Sequence, residues 1–218
     1  MDVTRILSKT ADELKETDIA DSALETLVES QIKQIYLIGR RGPIQEKFTP
    51  IEIGELADCE PVFNHQCDLE LDEISRMELA DDTNRQARHN LDVLLRFVQR
   101  QLRGYSEQRS AKTKRYHLRF LTSPQELKGN GKVERIVLER NRLVGEPFRN
   151  WPEGTGQFEE LPCGAVFRSI GYRGVPIPGV PFGERNGVFP NKDGRILNGE
   201  TIVPGLYAVG WIKRGPSG

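Results

Sequence analysis

The chain has 218 residues, a formal net charge of −1 and 29% charged residues, enough length to bury a sizeable core in one or two domains. That balance excludes a polycationic nucleic-acid-binding domain. No apolar run reaches membrane-spanning length and no secretory leader pattern opens the chain, so the expected location is cytoplasmic.

Val3 to Lys15 reads as a helix, with Val3, Ile6, Leu7 and Leu14 near one side. Thr17 or Asp18 is expected to cap a second helix, in which Ala20, Ala23, Leu24, Leu27 and Val28 recur at helical spacing. Lys33 to Ile38 is a strand running into Gly39, Arg40 and Arg41. Thr49 is placed to cap a helix from Pro50 to Ala57, with Pro50 at its first position and Glu52 in its first turn. Strand, loop and helix N-terminus together make an anion-friendly corner. Cys59 to Leu79 is acidic and reads as irregular.

Thr83 to Arg103 is a strong helix with Ala87, Leu91, Leu94, Leu95, Val98 and Leu102 on its apolar side. Gly104 to Arg115 reads as a basic surface linker. Tyr116 to Thr122 and Val133 to Arg142 alternate as strands that could pair, with a hairpin turn at Gly129-Asn130-Gly131. From Gly145 onward the composition changes: 15 of the 21 glycines and nine of the 13 prolines lie there. Short strands and tight turns, or loops that wrap a ligand, are therefore expected. Cys163 to Ile170 and Leu206 to Trp211 are the strands anticipated in this part.

Arg40 and Arg41 are the sharpest candidates for chemistry. Two guanidinium forks at the end of an apolar strand match a phosphate monoester. In a dinucleotide fold that position faces the adenosine ribose, where arginine accommodates a 2′-phosphate and an acid favours a free 2′-hydroxyl. Surface ion pairing is the alternative. Glu52 either faces the same pocket or is a first-turn carboxylate favoured by the helix dipole. In the tail, Trp211 could pack on a flat ring, and Gly215 and Gly218 would allow close backbone approach to a cofactor. The alternative there is a disordered basic terminus. Three widely spaced cysteines, Cys59, Cys67 and Cys163, argue against a disulfide framework. Cys59, His65 and Cys67 match no common zinc spacing, so no metal is expected. His89 and His117 read as structural or solvent-facing. No G-x-S-x-G elbow supports a hydrolase.

Six stretches taken together resemble one family: Asp2 to Leu7, Thr17 to Ala20, Gly39 to Gln45, Phe48-Thr49, Arg168 to Tyr172 and Gly210 to Gly218. They are similar to segments of the NADPH-dependent ferredoxin or adrenodoxin reductases, flavoenzymes of the glutathione-reductase-like two-dinucleotide fold. The resemblance implies an α/β chain with two parts. Residues 1–156 would form a Rossmann-like three-layer NADP-binding domain lacking its first strand and glycine loop. Residues 157–218 would form the C-terminal portion of an FAD-binding domain.

It further implies hydride transfer from NADPH to FAD and single-electron transfer to a small ferredoxin-like iron–sulfur protein, with no catalytic side chain. By the same resemblance Arg40 and Arg41 hold the 2′-phosphate and Glu52 assists. Gly210, Trp211 and Gly218 then run beside flavin and nicotinamide. Lys213, Arg214 and the basic residues around Lys112 are candidates for docking the acceptor. Family members carry an FAD-binding segment and an NADP-domain glycine loop ahead of the first helix seen here. The expectation is therefore an incomplete, FAD-deficient piece of such a reductase. The alternatives are a non-enzymatic NADP(H)-binding or interaction protein, and complementation by a separate chain supplying the FAD segment.

Overall fold

The computed structural model describes residues 1–58, 60–62, 71–102, 114–171 and 173–215. The chain divides into two compact units, Met1–Val166 and Phe167–Gly218. Cys59, His65, Cys67, Tyr172, Gly218 and most of the basic linker expected at 104–115 lie outside the described residues.

The first unit opens with α1 (Asp2–Ser8) and α2 (Ala11–Lys15) where one helix was expected. Lys9 caps the end of the first and Thr10 the start of the second: the Thr10 hydroxyl accepts from the Glu13 amide, while the Glu13 carboxylate accepts from the Thr10 amide. This reciprocal cap satisfies two donors that a continuous helix would have used internally. Next comes α3 (Asp21–Val28), whose N-cap is Ala20 without a side-chain cap. Neither Thr17 nor Asp18 caps it, and the Thr17 hydroxyl instead donates to the Leu14 carbonyl.

Strand β1 (Gln34–Ile38) leads through a 3-10 turn, Pro43–Gln45, to α4 (Pro50–Gly54) and a second 3-10 turn, Glu55–Asp58. After β2 (Glu60–Val62) comes α5 (Glu73–Ala80), within the stretch expected to be irregular. Asp72 caps it by accepting from the Ser75 amide. In α6 (Arg85–Leu102), Ala87, Asn90, Leu91, Leu94 and Phe97 are buried, while Leu95 points outward. Ala87, Leu91 and Leu94 thus hold the expected apolar side, while Leu95 falls outside it and Asn90 and Phe97 extend it on the opposite edge.

A single strand was expected at Tyr116 to Thr122, but the structure has two: β3 (Arg115–Arg119) and β4 (Thr122–Lys128). Leu121, at φ 50°, turns the chain between them. A leucine in the left-handed region is uncommon, so the turn left no glycine signal. β3 pairs in parallel with β1 and with β2, giving the order β1-β3-β2. It does not form a hairpin with the following strand. That role falls to β4, which pairs antiparallel with β5 (Arg135–Glu146), and β5 pairs in turn with β6 (Arg149–Pro162). The β5–β6 hairpin turns over Pro147 and Phe148, and β6 runs through residue 156.

Alternation along β1 and β3 sends Ile35, Tyr116, Leu118 and Phe120 to one face of the parallel sheet. There they pack with Phe48, Ile53, Leu56, Leu94 and Phe97 as the main core. The buried Tyr116 hydroxyl donates to the Leu56 carbonyl. On the other face the His117 ring stacks on Tyr36, with 4.3 Å between centroids, and the buried Arg119 pairs with Glu159 of β6. A parallel sheet flanked by helices is the expected α/β class.

The second unit is a small antiparallel sheet of β7 (Asn191–Lys192), β8 (Arg195–Asn198) and β9 (Thr201–Tyr207), followed by α7 (Trp211–Arg214). Phe189, Ile196 and Ala208 form its core, with Phe182, Leu206 and Ile212 packed around them. No strand forms at Cys163 to Ile170; Phe167 and Ile170 are exposed, without ladder partners among the described residues. The final strand ends at Tyr207, not Trp211, because Gly210 adopts φ 64° and ψ −148° and starts the α7 turn.

Candidate functional site

The site begins where β1 stops. The Gly39 amide donates to the Arg119 carbonyl at 2.8 Å, and the Gly39 carbonyl accepts from the Thr122 amide at 3.0 Å. The Arg41 carbonyl accepts from the Leu121 amide at 2.9 Å. Asn141 Nδ2 donates to the Arg40 carbonyl at 2.8 Å and to Ser123 Oγ at 2.7 Å. The backbone carrying both arginines is thus fastened to the crossing from β3 to β4 and to β5, which leaves the side chains to project from a fixed base.

The loop is anchored on its far side as well. Gln45 Nε2 donates to Ser75 Oγ at 3.1 Å and to Glu78 Oε2 at 2.9 Å. The other Glu78 oxygen accepts from the Phe148 amide at 2.7 Å and from Asn150 Nδ2. One buried carboxylate therefore ties the turn after the arginines, α5 and the β5–β6 tip together. The Phe48 carbonyl accepts from both Gln86 Nε2 at 3.0 Å and Asn90 Nδ2 at 2.8 Å, pinning the segment to α6.

The two arginines differ. Arg40 is exposed and has no side-chain hydrogen bond or ion pair among the described residues. Arg41 is half-buried and its Nη2 donates to the Gln45 carbonyl at 3.3 Å. Arg40 is a free fork, and Arg41 a restrained one with donors to spare. This donor set fits a phosphate monoester.

Glu52 is placed in the cap of α4. Its Oε2 accepts from the Thr49 amide at 2.6 Å, and its own amide donates to Thr49 Oγ1 at 3.2 Å. The bond from the Thr49 backbone is the main reason its carboxyl lies below the usual range, against a smaller opposing effect of burial. No hydrogen bond or ion pair joins Glu52 to Arg40 or Arg41 among the described residues. The capping box also engages donors that the anion-friendly corner was expected to offer, and α4 is a single short turn.

Glu46 was not singled out from the sequence. Its carboxyl lies against the backbone at the end of β1: a Cβ on Gly39 would come within 2.5 Å of Glu46 Oε1. Burial raises this carboxyl to about 7, opposed by Arg41 and the Met1 amino group. Glu78 was also missed, because its partners lie more than 30 residues away in both directions.

In the second unit, the Phe189 amide donates to the Ile212 carbonyl at 3.0 Å, and Asn191 Nδ2 donates to the Lys213 carbonyl at 2.8 Å. These bonds seat α7 on the sheet. Trp211 is 59% exposed. A Cβ on Gly210 would meet nothing within 4 Å, so glycine is required there by its dihedral angles and not by crowding. Gly218 lies outside the described residues. His89 is exposed; His117 is buried, and burial, then Arg119 and Arg115, lowers its pKa. The described residues contain no cluster suited to a metal ion and no helix long and apolar enough to cross a membrane.

No protein-family model matches the chain. Individual proteins do. NADPH-ferredoxin reductase FprA of Mycobacterium tuberculosis is 46% identical over 220 aligned residues, which cover 100% of this chain and 45% of that protein. Mitochondrial NADPH:adrenodoxin oxidoreductase of Bos taurus is 37% identical over 226, covering 100% of this chain and 44% of that protein. The solved structure of M. tuberculosis FprA in complex with NADPH matches with a TM-score of 0.80 and 44% identity, over 100% of this chain and 45% of that one. The chain spans a little under half the length of these relatives, and across that span it has their Rossmann-like α/β fold. Over that span it is similar to the NADPH-ferredoxin and NADPH:adrenodoxin reductases.

Proposed function

We propose that this chain contributes the NADP(H)-recognising part of an oxidoreductase that moves electrons between NADPH and a small iron–sulfur protein through FAD. The observation that carries this reading is the arginine-pair loop: a free and a restrained guanidinium at the end of β1, in a chain 46% identical to an NADPH-ferredoxin reductase. Arg40 and Arg41 grip the 2′-phosphate, with Arg40 supplying the mobile fork. Glu52 supports them indirectly by holding the start of α4.

We assign residues 1–156 to NADP binding and 157–218 to the C-terminal portion of the FAD-binding domain. In the latter, Gly210 and Trp211 line the approach to the flavin. Gly210 offers uncovered backbone and Trp211 an exposed ring, a donor set that fits a flat aromatic cofactor. FAD, when bound, supplies the redox chemistry, and the protein's residues bind and orient without acting as acid or base. The acceptor is a ferredoxin-like protein, and Lys213 and Arg214 offer cations for an acidic partner.

The test is visible absorption of the purified chain after incubation with FAD and desalting. Retained flavin bands bleached by NADPH, and not by equal NADH, support a reductase core. Loss of all flavin refutes cofactor retention by this chain. A second reading, an NADP(H)-binding protein without flavin, is favoured by one fact: among the described residues, the hydrogen bonds that fasten the arginine loop join residues within Met1–Val166. NADPH binding without flavin would select it.

A further inference from the structure

We propose that Glu46 is a specificity-determining residue of the arginine-pair loop, an acid held at the end of β1 that opposes a 2′-phosphate and tolerates a free 2′-hydroxyl. The inference rests on the reading of Arg40 and Arg41 given above. In dinucleotide folds an acid at this strand end bonds the ribose 2′-hydroxyl, whereas arginine takes the 2′-phosphate. Here the structure brings both to one place. Glu46 lies seven residues beyond Gly39 in sequence, yet its carboxyl rests on Gly39 with the Phe120 ring beside it. The carboxyl makes no hydrogen bond or ion pair among the described residues.

The charged groups acting on it are Arg41, from the loop itself, and the Met1 amino group, from the start of α1. Phe120, from the β3–β4 crossing, adds only apolar cover. A phosphate dianion held by Arg40 and Arg41 would therefore meet a nearby charge whose sign depends on pH. Burial raises the Glu46 carboxyl to about 7. Below that pH the group is neutral and the arginines act unopposed. Above it the carboxylate offsets part of their potential.

The experiment is calorimetric titration of the full 218-residue chain with adenosine 2′,5′-bisphosphate and with 5′-AMP, at pH 6.0 and pH 8.5, for wild type and Glu46→Gln. The readout is the ratio of the two affinities. Ionisation of the 2′-phosphate itself affects both proteins alike and cancels in the comparison. The ratios should agree at pH 6.0. At pH 8.5 the Glu46→Gln ratio should exceed the wild-type ratio by about three- to tenfold, the scale of one partly screened charge. Glu46→Ala, which removes the charge without adding an amide, should show the same gain.

Equal ratios in all proteins at both pH values, with the bisphosphate still preferred, would overturn the role of Glu46 and leave the arginine reading intact. No preference for the bisphosphate in any protein at either pH would overturn the arginine reading, and this inference with it. Failure of both probes to bind would do the same.

Discussion

Replacing Glu46 by glutamine should stabilise the protein at alkaline pH and leave it unchanged in mild acid. The Glu46 carboxyl is raised from 4.5 to about 7 by burial in the native state. Between those values the native state binds more protons than the unfolded chain, so stability falls as pH rises. The rise from 4.5 to about 7 sets a ceiling of about 3 kcal/mol. Glu46 retains some solvent contact, and screening reduces the expected effect to about 2 kcal/mol. Glutamine mimics the protonated acid and removes the penalty. Urea unfolding of both proteins at pH 5.0, 7.0 and 8.5, followed by far-ultraviolet circular dichroism, measures the difference. The two curves should be close at pH 5.0, diverge up to about pH 7 and differ by a nearly constant amount from there to pH 8.5, with the variant more stable. A constant difference across the range would refute the reasoning. A wild type that gains stability with pH relative to the variant would show that Arg41 outweighs burial and that the carboxylate is a stabilising partner.

The carboxylate of Glu78 accepts from Gln45, Phe148 and Asn150, so Glu78→Ala strands buried donors and should cost about 3–5 kcal/mol in urea unfolding; a loss under 1 kcal/mol would show that the network is replaceable. Gly210→Ala meets no neighbour but forces alanine to φ 64° and ψ −148°, which should destabilise the second unit by about 1–3 kcal/mol in thermal unfolding. Arg40 is exposed and makes no side-chain hydrogen bond or ion pair among the described residues, so Arg40→Ala should leave stability within about 0.5 kcal/mol of wild type. The same variant should weaken 2′-phosphate binding about ten- to a hundredfold, measured by titration with adenosine 2′,5′-bisphosphate.

Local chemistry made part of this structure legible in advance. An apolar run ending in Gly39 before two arginines marked β1 and its loop, and Thr49, Pro50 and Glu52 marked the capped start of α4. The same logic applied to Thr10 and Glu13 would have split the first helix, since they form the same reciprocal cap. Non-local features were out of reach. Leu121 bends the chain from one sheet to the next without a glycine. The stretch from Cys163 to Ile170 has a strand's composition but lacks ladder partners among the described residues. Glu46 and Glu78 carry ordinary surface residue types, and only folding shows that one rests on Gly39 and the other joins three separate elements. The site was thus readable where chemistry is written in adjacent residues, and hidden where it depends on chain return.

One titration tests the role of the arginine pair most directly. Fluorescence binding of NADPH and of NADH to the full chain at pH 6.5 should show NADPH bound at least about tenfold more tightly, the scale of one lost charge-assisted contact. That preference should vanish in the Arg40→Ala, Arg41→Ala double variant. Equal affinities for the two nucleotides in the wild-type chain, or a preference that survives the double substitution, would contradict it.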